Sequence, residues 1–249
     1  MLIKLHHVQE FYSAATALSS EEGLKDLLME MTPRMGFRHF ALVHHIDLNA
    51  GRGNRIHIVD YPPNWAECFE SRRLFGRDPI HRASHRTNIG FVWSNVGDLI
   101  DLTSADRAIL NDAYQAGLGD GFTIPAHLPG ELNGSCSFAM SRGDDIDRDQ
   151  LPYVQLVGAF AFEAARRMRS VGAPKIETPR LTDRQAECVA LVARGKTDWE
   201  ISRMLGIGQE TVTQHLKDAR DRYGITTRTL LAIRVLFDGL ISFTDIFGK

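Results

Sequence analysis

Apolar residues recur along this chain with two different periods, and the changes of period divide it. Phe11, Leu18, Leu24, Leu27, Leu28 and Met31 fall at helical spacing and predict helix over about 8–35. Phe40 to Ile46 and Ile56 to Val59 are short apolar runs that predict strands. Helix is expected again over Ala66–Leu74 and Ser104–Ala116, and strands over Gly121–Ala126 and Cys136–Met140. Gln150–Met168 predicts a long helix with Leu151, Val154, Val157, Phe160, Ala161 and Ala164 on overlapping faces. Strands set among helices without a βαβ rhythm predict a sheet covered by helices, not a doubly wound fold.

Beyond residue 180 the apolar spacing is helical throughout: Val189 and Val192, then Ile201 and Leu205, then Val212, Leu216, Ala219 and Tyr223. Gly206 and Gly208 flank Ile207 between the last two runs, the short glycine-containing turn of a helix-turn-helix. Thr182 with Gln185, and Thr197 with Glu200, each form the T-x-x-[QE] pattern of a capping box. With 212, 216, 219 and 223 facing a core, Gln209, Glu210, Thr213, Gln214, Lys217 and Arg220 lie off that stripe. Gln, Thr, Lys and Arg are the side chains that read base edges and phosphates, though a solvated helix face has the same composition.

Val171 to Pro179 carries two prolines and a glycine, which stop helices on both sides and mark a boundary. The expected organisation is a domain over 1–171, a linker over 172–180 and a second domain over 181–249. Hydrophobic content of 43% and charged content of 24% are those of an ordinary globular protein. Neither a cleavable leader nor a run of about 18 apolar residues is present, so no membrane partner is expected. Cys68, Cys136 and Cys188 are few, odd in number and unpatterned, as in a reduced, cytoplasmic protein. The whole chain has a net charge of −2, and Arg180–Arg234 has ten Lys/Arg against seven Asp/Glu, net +3. So weakly basic a segment is expected to need a second copy to hold DNA, because phosphate neutralisation supplies much of the affinity.

The densest chemistry in the first half is Tyr61-Pro62-Pro63-Asn64-Trp65, then Phe69, Asp78-Pro79 and Trp93. Prolines 62 and 63 fix a helix entry, and Trp65 and Phe69 share one face of that helix. An indole only donates, a phenol donates or accepts, and a carboxylate only accepts. Trp65, Tyr61 and Asp78 together suit a ligand with two carbonyl oxygens and an amide N–H. The same aromatics read equally as ordinary core residues, and their types alone do not choose. His81 and His85 have metal spacing without an evident third ligand. His44 and His45 alternate faces of a strand, so at most one is expected buried. The acidic run Asp144–Asp149 lacks the glycine and glutamate of a calcium loop and is expected to place negative charge before the next helix. No nucleophile elbow or phosphate loop occurs, and no residue is expected to be catalytic.

Residues Leu181–Ile241 resemble the LuxR-type helix-turn-helix, through Leu181-Thr182-x-Arg184, Gly195-Lys196-Thr197, Glu200-Ile201, Thr211-Val212, His215-Leu216 and Gly239-Leu240-Ile241. The resemblance implies that Lys196 and Thr197 sit near the DNA backbone and that Gln209–Tyr223 enters the major groove. Gln209, Thr213, Gln214, Lys217 and Arg220 are then the DNA-binding candidates, and about Arg228–Leu236 lies where relatives dimerise. Gln185 stands where the family usually has Glu, and still completes the cap. The spacing Tyr61, Trp65, Phe69, Asp78-Pro79, Trp93, Gly121 resembles the autoinducer-binding domain of LuxR-type quorum-sensing receptors. That resemblance implies an N-acyl-homoserine lactone ligand and no cofactor. Trp65 would donate to the lactone carbonyl, Asp78 accept from the amide, and Tyr61 donate to the acyl carbonyl. Trp93 would pack near the lactone, Ser137 reach the acyl carbonyl or a 3-oxo group, and Gly121 be structural. Phe69 replaces the usual Tyr, keeping the ring and losing the hydroxyl.

The fold class expected is α+β: an N-terminal α/β/α sandwich around an antiparallel sheet, with a smaller all-α four-helix helix-turn-helix domain at the C-terminus. The function expected is a ligand-responsive transcriptional regulator that binds a two-fold DNA operator as a homodimer, with RNA polymerase a partner if it activates. Helix Gln150–Met168 is the expected N-terminal dimer contact, because its apolar positions run most of the way round. The alternatives are a solo receptor for a different small amphiphile, supported by Phe69, and a metalloprotein built on His81 and His85. A phosphorylated response regulator would need a βα receiver pattern that the first half lacks.

Overall fold

The computed structural model describes residues 2–46, 55–129, 131–170 and 179–248. Two compact units divide the chain: Met1–His127 with Leu132–Pro174, and Leu128–Glu131 with Lys175–Lys249. Most of the expected linker, 172–180, lies outside the described residues.

The first unit holds one antiparallel sheet of β1 (His39–His44), β2 (His57–Asp60), β3 (Phe91–Val92), β4 (Leu118–Ala126) and β5 (Gly134–Ser141), in the order β2-β1-β5-β4-β3. Central strand β5 shows how this sheet makes two different faces. Successive side chains point to opposite sides. Cys136, Phe138 and Met140 therefore join one core, while Ser135, Ser137 and Ala139 face the other way. Pairing carries the division across the sheet: Phe138 lies opposite Phe40 and Phe122, and Ser137 opposite Ala41 and Thr123.

The large-residue face is covered by α1 (Leu2–Ala17), α2 (Glu21–Arg34) and α6 (Leu151–Ser170). The expected helix over 8–35 is thus two, divided at Ser20, whose side chain accepts the Gly23 amide and caps α2. The acidic run acts locally: Asp147 accepts the Asp149 amide at 3.0 Å in a short 3₁₀ turn, Arg148–Gln150, that leads into α6. The apolar circumference of α6 is largely consumed within the chain. Val154, Val157, Ala161 and Ala165 are fully buried, and Phe160 packs on Tyr12 with centroids 4.9 Å apart. Much of its apolar circumference is thus covered by α1, α2 and the sheet, while Leu156 stays exposed.

The small-residue face is covered by α3 (Pro63–Ser71), α4 (Pro79–Ser84) and α5 (Ser104–Gln115). The helix expected over 66–74 ends early, because Arg73 adopts a left-handed conformation before a 3₁₀ turn at Leu74–Gly76. Helix α4 and strand β3 are too short to leave a periodic signal.

The second unit is all helical: α7 (Asp183–Ala193), α8 (Asp198–Leu205), α9 (Gln209–Tyr223), α10 (Arg228–Phe237) and a short α11 (Phe243–Phe247) beyond the four expected. Both capping boxes form, at Thr182/Gln185 and Thr197/Glu200. Gly206, left-handed at φ 66°, ends α8 and turns the chain toward α9. Val212, Leu216 and Ala219 are buried with Cys188, Val189, Ile201, Leu231 and Val235.

Phe138 is fully buried at the centre of the larger core. Phe138→Ala is expected to destabilise the first unit by about 3–5 kcal/mol, read from denaturant unfolding of the full chain.

Candidate functional site

The small face of the sheet leaves a cavity of about 600 Å³ beneath α3, α4 and α5. All six residues singled out from the sequence line it: Tyr61, Trp65, Phe69, Asp78, Trp93 and Ser137. Each is positioned by a different local device. Tyr61 follows directly on β2, and Pro63 at the first turn of α3 then sets Trp65 and Phe69 on its inner face. Asp78 caps α4. Its Oδ1 accepts the Ile80 amide at 2.6 Å and the His81 amide at 3.2 Å, while Oδ2 has no partner among the described residues. Trp65 is buried, and its indole N–H makes no hydrogen bond among the described residues.

Phe69 keeps an aromatic wall in place. Its ring meets Trp65 at 5.8 Å, Phe75 at 5.2 Å and His81 at 5.6 Å, all edge to face. The Trp93 ring fills the space that a side chain on Gly121 would need, since a Cβ there would lie 2.5 Å from the indole. Gly121 is therefore structural, as the family pattern implies.

Sequence reasoning missed Thr123. Trp93 donates its indole N–H to Thr123 Oγ1 at 2.7 Å, and Thr123 and Ser137 share a hydrogen bond of 2.8 Å. Thr123 is fully buried, so its own proton needs an acceptor, and Ser137 supplies one. Ser137 and Tyr61 both line the cavity. Burial and the nearby Asp78 carboxylate raise the Tyr61 pKa and keep the phenol neutral. The donor-only indole thus sets a direction: N–H to Thr123, Thr123 to Ser137, and a spare hydroxyl proton on Ser137 at the cavity. Thr123 shares a face with Gly121, which the strand period showed. Its partner depended on the β4–β5 register, which the sequence did not show.

His81 and His85 also acquire neighbours that spacing could not reveal. His45 stacks on His81 with centroids 4.0 Å apart, and His127 meets His85 at 5.0 Å. The His45 and His81 planes lie within 13° of each other, so their in-plane lone pairs do not converge on one ion. Among the described residues no group of three or more His, Cys, Asp or Glu is arranged to hold a metal. His44 is buried toward Phe162, and His45 is half-buried on the opposite face.

In the second unit, Gln209, Thr213, Gln214 and Lys217 are exposed on α9, with half-buried Arg220 beyond them. Thr213 places its hydroxyl 2.9 Å from an Asp198 carboxylate oxygen and so ties α9 to α8. Gln214 donates to Asp218 at 2.5 Å, and Arg220 to the Thr226 carbonyl at 3.2 Å. Lys217 makes no hydrogen bond or ion pair among the described residues. Lys196 bonds Glu200 at 3.2 Å, and the Thr197 amide and hydroxyl both donate to the same carboxylate. Those bonds, the Thr197 amide foremost, lower the Glu200 pKa to about 2. Gln185 is buried and accepts the Thr182 amide at 3.0 Å, so the amide side chain completes the cap where the family usually has an acid.

A cavity with matched donors and acceptors in one unit and a helix-turn-helix in the other define a small-molecule-binding domain joined to a DNA-binding domain. The family model for the autoinducer binding domain matches residues 20–167, and that for bacterial regulatory proteins of the luxR family matches 179–235. The chain belongs to the LuxR family of transcriptional regulators. It is 31% identical to the HTH-type quorum sensing-dependent transcriptional regulator RpaR of Rhodopseudomonas palustris over 208 residues, 83% of each chain. It is 25% identical to the transcriptional activator protein LuxR of Aliivibrio fischeri over 227 residues, 90% of each. The crystal structure of Escherichia coli SdiA shares the fold at TM-score 0.63 and 20% identity, covering 96% of this chain and 99% of that one. CepR2 of Burkholderia cenocepacia, at TM-score 0.51 and 15% identity, covers 67% of this chain and 96% of its own. Family members are regulators, not enzymes, and bind autoinducer ligands, not cofactors. No described helix is long and apolar enough to cross a membrane.

Thr123→Val keeps the shape and removes the hydroxyl, leaving the Trp93 N–H unpaired. We expect a loss of about 1–3 kcal/mol in the unfolding free energy of the full chain.

Proposed function

We propose that residues 1–171 bind an N-acyl-homoserine lactone and that residues 181–249, joined through 172–180, bind a two-fold DNA operator within a homodimer. One observation carries the ligand assignment. A free indole donor on Trp65, a free carboxylate oxygen on Asp78, the Tyr61 hydroxyl and the Ser137 end of the Trp93–Thr123–Ser137 chain all border one cavity. A ring carbonyl, an amide N–H and an acyl carbonyl are the matching groups on the ligand. Trp65 donates to the lactone carbonyl, Asp78 accepts from the amide, and Tyr61 with Ser137 holds the acyl carbonyl. Trp93 packs beside the lactone, and Phe69 walls the pocket. A volume of about 600 Å³ suits a small molecule enclosed on most sides.

For DNA, the exposed face of α9 supplies Gln209, Thr213, Gln214, Lys217 and Arg220 to the major groove, with Lys196 and Thr197 near the backbone. Pairing of two copies is supported by the exposed Leu230 and Ile233 of α10, 50% and 59% accessible. Two half-sites would lie roughly 34–36 Å apart. The protein works in the cytoplasm, and RNA polymerase is a partner if it activates.

Titration of the full chain with N-octanoyl-homoserine lactone is expected to raise its thermal midpoint. Binding to the folded state alone contributes about 2.7 kcal/mol at a hundredfold excess over Kd. Trp65→Phe and Asp78→Asn should each weaken binding by about 1–3 kcal/mol. Asparagine still caps a helix, so Asp78→Asn tests the ligand contact with α4 kept in place. A panel of acyl-homoserine lactones that leaves the midpoint unmoved refutes the ligand assignment.

Lys217→Ala is expected to weaken DNA binding several-fold at low salt and to reduce the salt slope by about one, with lactone affinity unchanged. Normal DNA binding by this variant would show that the reading face is misplaced.

A further inference from the structure

Four imidazoles from separate stretches meet beside the cavity. His45 follows β1, His81 lies in α4, His85 ends it, and His127 follows β4. His45 and His81 are stacked at 4.0 Å, His45 and His85 lie 5.5 Å apart with planes within 13°, and His85 meets His127 at 5.0 Å.

One of their hydrogen bonds requires an uncharged ring. His45 Nδ1 and His85 Nε2 are 3.3 Å apart, and a bond between two ring nitrogens needs one of them bare. His127 Nε2 donates to the Ser84 carbonyl at 3.0 Å. Its Nδ1 is buried without a partner, so a proton placed on it finds no acceptor. His81 Nδ1 donates to the Phe75 carbonyl at 3.2 Å, and His45 Nε2 pairs with Ser135 Oγ at 2.9 Å. The groups acting on His45 are the other three histidines and His44, and His85 also feels Arg86. On the same helix Arg82 is paired with Asp106 of α5 at 2.6 Å. Asp78, at the head of α4, already holds two amides on Oδ1.

The cluster touches the cavity through α4. The His81 ring packs on Phe69, and its backbone N–H is one of the two that fix Asp78. We propose that the His45–His81–His85–His127 cluster makes ligand retention by the first domain proton-linked. In the neutral state it braces α4, and with it Asp78, against the cavity. Charging it drives the stacked rings apart and releases that brace. The inference rests on the cavity being the ligand site.

The direction follows from burial and charge. Burial, then mutual repulsion, holds His45 well below the ordinary imidazole value of 6.5, and the same two causes lower His85. With folded values lowered, the unfolded or opened state takes up protons first. The stabilisation is complete above 6.5 and is lost as pH falls through 6.5 toward the folded values. A ligand that favours the braced state must by linkage be released by the same protons.

The test uses the full chain, with N-octanoyl-homoserine lactone as probe, by equilibrium dialysis at about pH 7.5 and about pH 5.5. Wild type is compared with His45→Gln, which can still reach Ser135, and with His85→Gln at the exposed edge of the cluster. Wild-type Kd is expected to rise on the order of tenfold across that interval, one proton's linkage, and both variants to show a several-fold smaller rise. An unchanged wild-type Kd, or an equal rise in all three proteins, overturns the proposal. Thermal midpoints at both pH values, taken without lactone, separate the two readings. If no lactone binds at the higher pH, the ligand assignment fails. The cluster is still tested, because a pH-dependent midpoint flattened in the variants supports proton sensing and equal midpoint shifts overturn it.

Discussion

A sheet covered on both faces must bury every side chain of its central strands, and the strand period assigns those side chains strictly by turns. In β5 this constraint is met with unequal sizes: Cys136, Phe138 and Met140 on one side, Ser135, Ser137 and Ala139 on the other. The first set fills a core with α1, α2 and α6. The second set cannot fill the space under α3, α4 and α5, and the cavity is the remainder. Stability and binding capacity are therefore placed on opposite sides of one backbone. A one-residue slip in the pairing of β5 would exchange them, which is why Ser137 opposite both Ala41 and Thr123 matters as much as any contact to a ligand.

The polar end of the cavity is as tightly determined as the apolar core. Trp93 has a place only because Gly121 lacks a side chain, and its N–H has a partner only because Thr123 falls on the same face. The indole can only donate, so Thr123 accepts from it and keeps its own proton to share with Ser137. Ser137 therefore brings the inner end of a buried hydrogen-bond chain to the cavity wall.

Much of this was legible in the sequence, for identifiable reasons. Trp65, Asp78 and Trp93 could be singled out because their spacing resembles that of the family's ligand domain; their residue types alone fit an ordinary core as well. The helix-turn-helix was legible because its caps are local, three residues from hydroxyl to acceptor, and both form. What could not be read depended on register or on distant segments meeting. Thr123 needs Ser137, fourteen residues on, and His45 needs His127, eighty-two residues on. Helix α6 was legible in its length, but how its apolar girth is shared among α1, α2 and the sheet depends on segments distant in the chain. The five-residue α11 is shorter than two turns and leaves no period to detect.

The cap at the start of α8 changes how its donors meet a polyanion. The Glu200 carboxylate already occupies the Thr197 amide, the Thr197 hydroxyl and the Lys196 ammonium, and its lowered pKa keeps it ionised at any pH a cell maintains. A phosphate arriving there does not meet an open cation. It must displace a resident anion, so the contact is an ion exchange between two oxyanions of similar strength. The free energy available is the small difference between them, not the full attraction of a lysine for phosphate. This corner of the domain is better suited to setting register than to supplying grip. On the DNA-binding reading proposed above, grip would fall to charges with no internal competitor, such as Lys217 on α9.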